Sequence, residues 1–95
     1  MNREVIYRAI LDNFGNNAQT IVAIEELSEL QKVLCKYLRG SHYFDKDTFM
    51  NNLTEELADV SIMLEQIKMI FGCQDCVESK IDEKLQRTID RYLSK

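Results

Sequence analysis

No proline interrupts this chain, and its three glycines, Gly15, Gly40 and Gly72, each close a stretch in which apolar residues recur at helical spacing. Such punctuation favours helices over strands, so the expected fold class is all-α. Residues 2 to 13 bring Val5, Ile6, Ala9 and Ile10 onto one face and end in Asn13-Phe14-Gly15-Asn16-Asn17, a C-terminal stop. A second helix is expected over residues 18 to 39, its apolar arc formed by Ala23, Ile24, Leu27, Leu34 and Leu38. Residues 41 to 51 read as the one real loop. Asn52 with Glu55 three residues on resembles an N-terminal capping arrangement, opening a third helix that runs to Phe71. The last helix is expected from about 75 to 93, packing through Val77, Ile81, Leu85, Ile89 and Tyr92.

Ninety-five residues make one domain, 1–95, with a core of its own but small enough for oligomerisation to help it appreciably. The third helix also carries Ala58, Ile62 and Met69 on the side away from its main arc. A helix apolar on two faces is buried on two faces, which points to a partner subunit. Twelve basic against sixteen acidic residues give a formal charge of −4, no footprint for general nucleic-acid binding. No apolar run approaches the length of a membrane span, and Met1-Asn2-Arg3-Glu4 lacks the apolar core of a signal peptide. The expectation is a cytoplasmic protein with no membrane partner.

Cysteine use fits that expectation. Cys35 falls inside a helix, and Cys73 and Cys76 form a C-x-x-C. A structural zinc would want four ligands, with only Cys35 and His42 left to complete the set. A thioredoxin-type role would want a βαβ context, which is missing. Cys73 and Cys76 read as reduced loop cysteines.

The chemistry-bearing feature is a pair of acidic segments, Glu25-Glu26-Leu27-Ser28-Glu29 and Glu56-Leu57-Ala58-Asp59. In each, two carboxylates are spaced i, i+3 and share a helix surface. At 100° per residue, the apolar arc of the third helix runs through Leu53, Leu57, Val60, Met63, Leu64 and Ile67. Glu56 lies near its middle and Asp59 at one edge, while Glu26 and Glu29 fall at the border of the second helix's arc. Ionised carboxylates do not enter an apolar stripe unless something compensates their lost hydration. If all four converged, each close pair would repel by up to about 4 kcal/mol at an effective dielectric of 20. A divalent cation removes that cost, and an all-oxygen set suits magnesium, manganese or calcium. On the last helix, Lys80, Lys84, Arg87 and Arg91 fall within about 60° of one another. Asp82, Glu83 and Asp90 are mostly turned away from them. Beside a metal-holding acid cluster, such a basic rail suits phosphate oxygens.

These strings, EELSE followed at a suitable interval by ELAD, resemble the EExxE and ExxD motifs of the all-α nucleoside triphosphate pyrophosphohydrolases, the MazG-like superfamily that includes dimeric dUTPases and dCTPases. Gln19, the run Ile24 to Leu30, Lys36-Tyr37-Leu38-Arg39-Gly40 and Leu57-Ala58-Asp59-Val60 are similar to single-domain members, and the likeness covers roughly residues 18 to 91. It implies a bundle of four to five helices completed by oligomerisation, as a homodimer or a dimer-of-dimers tetramer. Glu26, Glu29, Glu56 and Asp59 would be the magnesium ligands, with manganese a possible substitute. Glu25 and Glu29 would be the catalytic acids, Glu25 orienting the attacking water or serving as base. The family's K-x-x-x-N-x-x-R pattern is matched by Lys80 and Arg87, with Lys84 where asparagine is usual. Those three, together with Gln19 and Lys36, would bind the substrate. No tryptophan is present to stack on a base, which leaves Gln19, Tyr37 and Tyr43 as the nearest base contacts. The implied reaction is magnesium-dependent hydrolysis of a (deoxy)nucleoside triphosphate between its α and β phosphates, giving a monophosphate and pyrophosphate, with a role in nucleotide-pool housekeeping. A di-iron bundle would need E-x-x-H on two helices, and neither acid pair is followed by histidine. The other alternative is a non-catalytic helical oligomerisation or regulatory module that keeps the fold.

Overall fold

A computed structural model describes residues 1–40 and 45–94 of the chain. Most of that range is helical, with α1 at Arg3–Phe14, α2 at Asn16–Leu38, α3 at Lys46–Phe71 and α4 at Gln74–Thr88. A π-helical turn, Ile89–Leu93, follows α4. The candidate base contact Tyr43, together with His42, lies outside the described residues.

A single residue separates α1 from α2. Gly15 has φ 93° and ψ 154°, a conformation open essentially to glycine alone. Its N–H donates to the Leu11 carbonyl at 2.9 Å, and its own carbonyl accepts from Gln19 N–H at 3.1 Å, so one residue ends one helix and starts the next. Helix α2 therefore begins two residues earlier than expected. The larger correction is at α3, which starts at Lys46 instead of after Asn52. Asp45 caps it, accepting from Thr48 N–H at 3.1 Å. Asn51 and Asn52 are exposed within the helix, where asparagine costs less than about 1 kcal/mol relative to alanine, too little to prevent propagation from a good cap.

Helices α2 and α3 run antiparallel and make the main contact of the fold. Tyr37 stacks on Phe49 at one end, with ring centroids 5.8 Å apart, and Gln19 meets Gln66 towards the other. Between and beyond them Ala23, Val60, Met63 and Met69 are buried, with Leu11 contributed by α1. Each large apolar side chain removed from water in this way contributes about 1.5–3 kcal/mol.

The buried stripe of α2 is not the arc that its leucines suggest. Gln19, Val22, Ala23, Glu26, Leu30 and Val33 face inward, whereas Ile24, Leu27, Leu34 and Leu38 are 63%, 47%, 46% and 82% exposed. Hydrophobicity summed around one helix does not know what its neighbour offers. Here α3 offers an amide and two acids, and α2 turns its own amide and acid towards them. The second apolar face of α3 is likewise not left for a partner alone. Met69 is buried by the chain itself, whereas Ala58 and Ile62 stay exposed along a groove that they share with Ile6, Tyr7 and Ile10 of α1. Helix α4, by contrast, packs against α3 and no other helix among the described residues.

Candidate metal centre

The antiparallel register does most to build the site. Gln19 Nε2 donates to Gln66 Oε1 at 2.8 Å in the buried interface. Moving seven residues up α2 and seven down α3 leads from that pair to Glu26 and Asp59. Seven residues are about two turns, or roughly 10.5 Å of rise, which returns both side chains to the same ridge. Glu56, one turn before Asp59 on α3, is aligned with Val60 and Met63 and so points at α2 along with them.

The outcome is a trio of carboxylates drawn from two helices. One oxygen each from Glu26, Glu56 and Asp59 lies within 4.8 Å of the other two. Glu26 and Glu56 are half-buried and Asp59 is exposed, which places the trio where the interface opens to solvent. Burial, then the negative charges of Asp59 and Glu56, hold the Glu26 carboxyl above its ordinary pKa, with a hydrogen bond to Asp59 and the charge of Glu29 adding to the effect. Glu56 Oε2 is buried and has no hydrogen-bond partner. An acceptor in that position bears its desolvation cost uncompensated.

Glu29, the fourth expected ligand, remains outside the trio. It is exposed and bonded to Lys32 at 3.3 Å, though close enough for its charge to act on Glu26. Glu25 is exposed on the same stretch of α2. Lys36 is also exposed and lines a shallow recess along α2 with Lys32, Cys35 and Arg39. Gln19 is occupied in the core, 8% exposed and bonded to Gln66, whose own side chain is only 1% exposed. Gln66 escaped the sequence reading. The signal was there, since an amide set beside Met63 and Ile70 is as out of place in an apolar arc as Glu56 is.

The basic row on α4 needs one correction. Glu83 is not turned away from it, because Lys80 reaches Glu83 at 3.2 Å and Arg87 reaches it at 3.5 Å. Positions three and four residues away on a helix are surface neighbours, so an acid at 83 is set between cations at 80 and 87. Lys84 is exposed beside them.

Among the described residues, the trio is the only gathering of three or more histidine, cysteine, aspartate or glutamate side chains close enough for one ion. The three cysteines are free thiols and form no such group. The donor set is all oxygen and carries up to three negative charges, which matches a hard divalent cation in preference to zinc or copper. The unpartnered oxygen of Glu56 adds a physical reason for a ligand in this position. No family model matches the chain, and no curated protein or solved structure is significantly similar to it.

Proposed function

We propose that the protein is a magnesium-dependent nucleoside triphosphate pyrophosphohydrolase of the MazG-like kind, acting between the α and β phosphates. The observation that carries this reading is the convergence of Glu26, Glu56 and Asp59 within 4.8 Å, with one buried Glu56 oxygen unpartnered. The resemblance of the EELSE and ELAD strings supplies the reaction class.

A magnesium ion bound there supplies charge neutralisation for the triphosphate and acidifies water towards neutral pH. Glu26, Glu56 and Asp59 would hold it, and manganese would serve as a substitute. Glu29 completes the set by leaving Lys32, a change that costs little because an exposed pair of this type contributes about 1 kcal/mol or less. Glu25, exposed one residue before Glu26, accepts the proton of the attacking water. Lys80, Lys84 and Arg87 bind phosphate oxygens and stabilise charge on the departing pyrophosphate, with Lys36 a further cation on α2. The protein works as a homodimer or tetramer. The support for association is the apolar surface left open on α2 and α4, where Ile24, Leu27, Leu34, Ile81 and Leu85 are all more than 40% exposed.

That same open surface favours a second reading, a helical association module without catalysis. One experiment separates the two. The protein is screened with canonical and damaged nucleoside triphosphates in magnesium, and pyrophosphate release is measured beside melting curves with and without the ion. The enzyme reading expects release that depends on magnesium, and stabilisation of about 2.7 kcal/mol at a hundredfold excess over Kd. No release from any nucleotide, with a melt indifferent to magnesium, would leave the module.

A further inference from the structure

The junction between α3 and α4 holds two thiols in an arrangement that the acid cluster does not use. Gly72, at φ 61° and ψ 38°, ends α3 in the left-handed conformation. Its N–H donates to Met69 O at 3.3 Å, and Cys73 N–H reaches back to Lys68 O at 3.0 Å, so the helix closes in a Schellman motif. Cys73 is then also the N-cap of α4, and its carbonyl accepts from Val77 N–H at 2.9 Å. Both backbone groups of Cys73 are thus fixed, one by each helix.

Cys76 is the third residue of α4. Cys73 lies outside the helix, at φ −119° and ψ 22°, with Cys76 one turn further along the chain. Residues three apart across a turn have Cα atoms within the span that a disulfide bridges. Cys73 makes no capping hydrogen bond with its side chain, and both cysteines are free thiols, Cys73 partly exposed and Cys76 exposed. Negative charge on either sulfur would lie at the positive end of α4. Near Cys73 stands the Lys68 ammonium, bonded to Glu65 at 3.0 Å and raised above its ordinary pKa by that bond first and by the charges of Glu65, Glu78 and Cys73 after it.

We propose that Cys73 and Cys76 form a redox-active dithiol that closes reversibly to an intrachain disulfide by exchange with a low-molecular-weight disulfide. Cys76, the more exposed of the two residues, attacks as its thiolate on one sulfur of the external disulfide and expels a thiolate. Cys73 then attacks the Cys76 sulfur of the mixed disulfide and expels the second. Two protein thiols lose two electrons and two protons, and the external disulfide becomes two thiols. The new bond fastens the first turn of α4 to the Gly72 corner.

The test exposes the full-length protein to glutathione disulfide in graded mixtures with glutathione, followed by acid quench, alkylation and mass mapping. Cys35, a solitary exposed thiol on α2, is the internal standard. The expected product is lighter by two hydrogen atoms and joins Cys73 to Cys76. It should be half-formed at a disulfide concentration at least about tenfold lower than that needed for the glutathione adduct of Cys35, because the second step is intramolecular. Cys73→Ser should instead trap glutathione on Cys76. The proposal is overturned if the wild-type protein collects separate adducts on Cys73 and Cys76, or if both stay reduced while Cys35 reacts.

Discussion

The α2–α3 contact and helix α4 are made from similar stripes of leucine, isoleucine and valine, yet the first closes over Ala23, Val60 and Met63 while the second leaves Ile81 and Leu85 42% and 57% exposed. What separates them is the polar residues set among the apolar ones. In the α2–α3 contact, Gln19 and Gln66 bond at 2.8 Å, and three acids meet two turns away. Along α4 the polar residues pair with near neighbours on the helix surface, Lys80 and Arg87 with Glu83 and Gln86 with Asp90 of the π-helical turn, and among the described residues none of these pairs reaches α1, α2 or α3. Buried polar groups make docking specific because a mismatched register leaves them unpaired, which costs more than a misplaced leucine. An apolar stripe without such a constraint accepts whatever covers it.

The comparison breaks first at the acids. Asp59→Asn should lower magnesium-dependent turnover by more than the roughly 100-fold that loss of even an outer partner of a metal ligand costs. The metal-free fold should melt at the same temperature or higher, because one of the like charges crowding Glu26 has gone; a strongly destabilised apo variant would count against a repelling cluster. Met63→Ala should cost about 2–5 kcal/mol in urea unfolding. Leu85→Ala in dilute protein should cost less than about 0.5 kcal/mol, yet raise the concentration at which copies separate in light scattering. Equal costs for the two substitutions would erase the distinction between closed and open stripes.

Gln66→Leu strands the Gln19 amide in a buried site and should cost about 1–3 kcal/mol, with part of the loss recovered when Gln19→Leu is added. A double variant worse than the single would contradict the role given to the amide bond.

The pH dependence of the metal-free protein follows from Glu26. Its folded-state pKa lies above the ordinary 4.5, so its contribution to stability is full below that value and is lost as pH rises through the folded pKa. Unfolding midpoints measured upward from pH 4.5 should fall, and the fall should be shallower in Asp59→Asn. Asp45 does not confuse this window. Its pKa is lowered from 3.8 by its hydrogen bonds to Thr48, so its contribution is lost only on further acidification. The smallest effect is expected at Glu83, whose two ion pairs are both more than half exposed. Glu83→Gln should change stability by less than about 1 kcal/mol while lowering KM for a triphosphate, since it releases Lys80 and Arg87; an unchanged KM would remove those cations from the substrate site.

How far the chain could be read from its letters depended on the kind of feature. Helices were legible because glycine placement and spacing are local properties, and Gly72 ends α3 where expected. The start of α3 was less so, because Asp45 and Asn52 are both competent caps and the choice depends on how far the helix then propagates. Glu56 stood out because an acid inside a strong apolar arc is a contradiction within one helix. Glu26 was read as a border residue and proves central to its stripe, since α2 docks by the polar match with α3 and not by its greasiest face. Gln19 was read as a substrate contact and lies in that same match. A polar residue in an apolar arc shows in the periodicity of its own helix, but the partner that it meets on the next helix does not.

The seven-residue step that relates the amide pair to Glu26 and Asp59 has an evolutionary consequence. A residue inserted anywhere between positions 19 and 26 would keep the amides engaged but swing Glu26 by about 100° around its axis, out of reach of α3. An insertion in the stretch that joins α2 to α3 would disturb neither pair. Changes in length should therefore accumulate among descendants in that connecting stretch and be purged from the two turns of each helix that separate glutamine from acid.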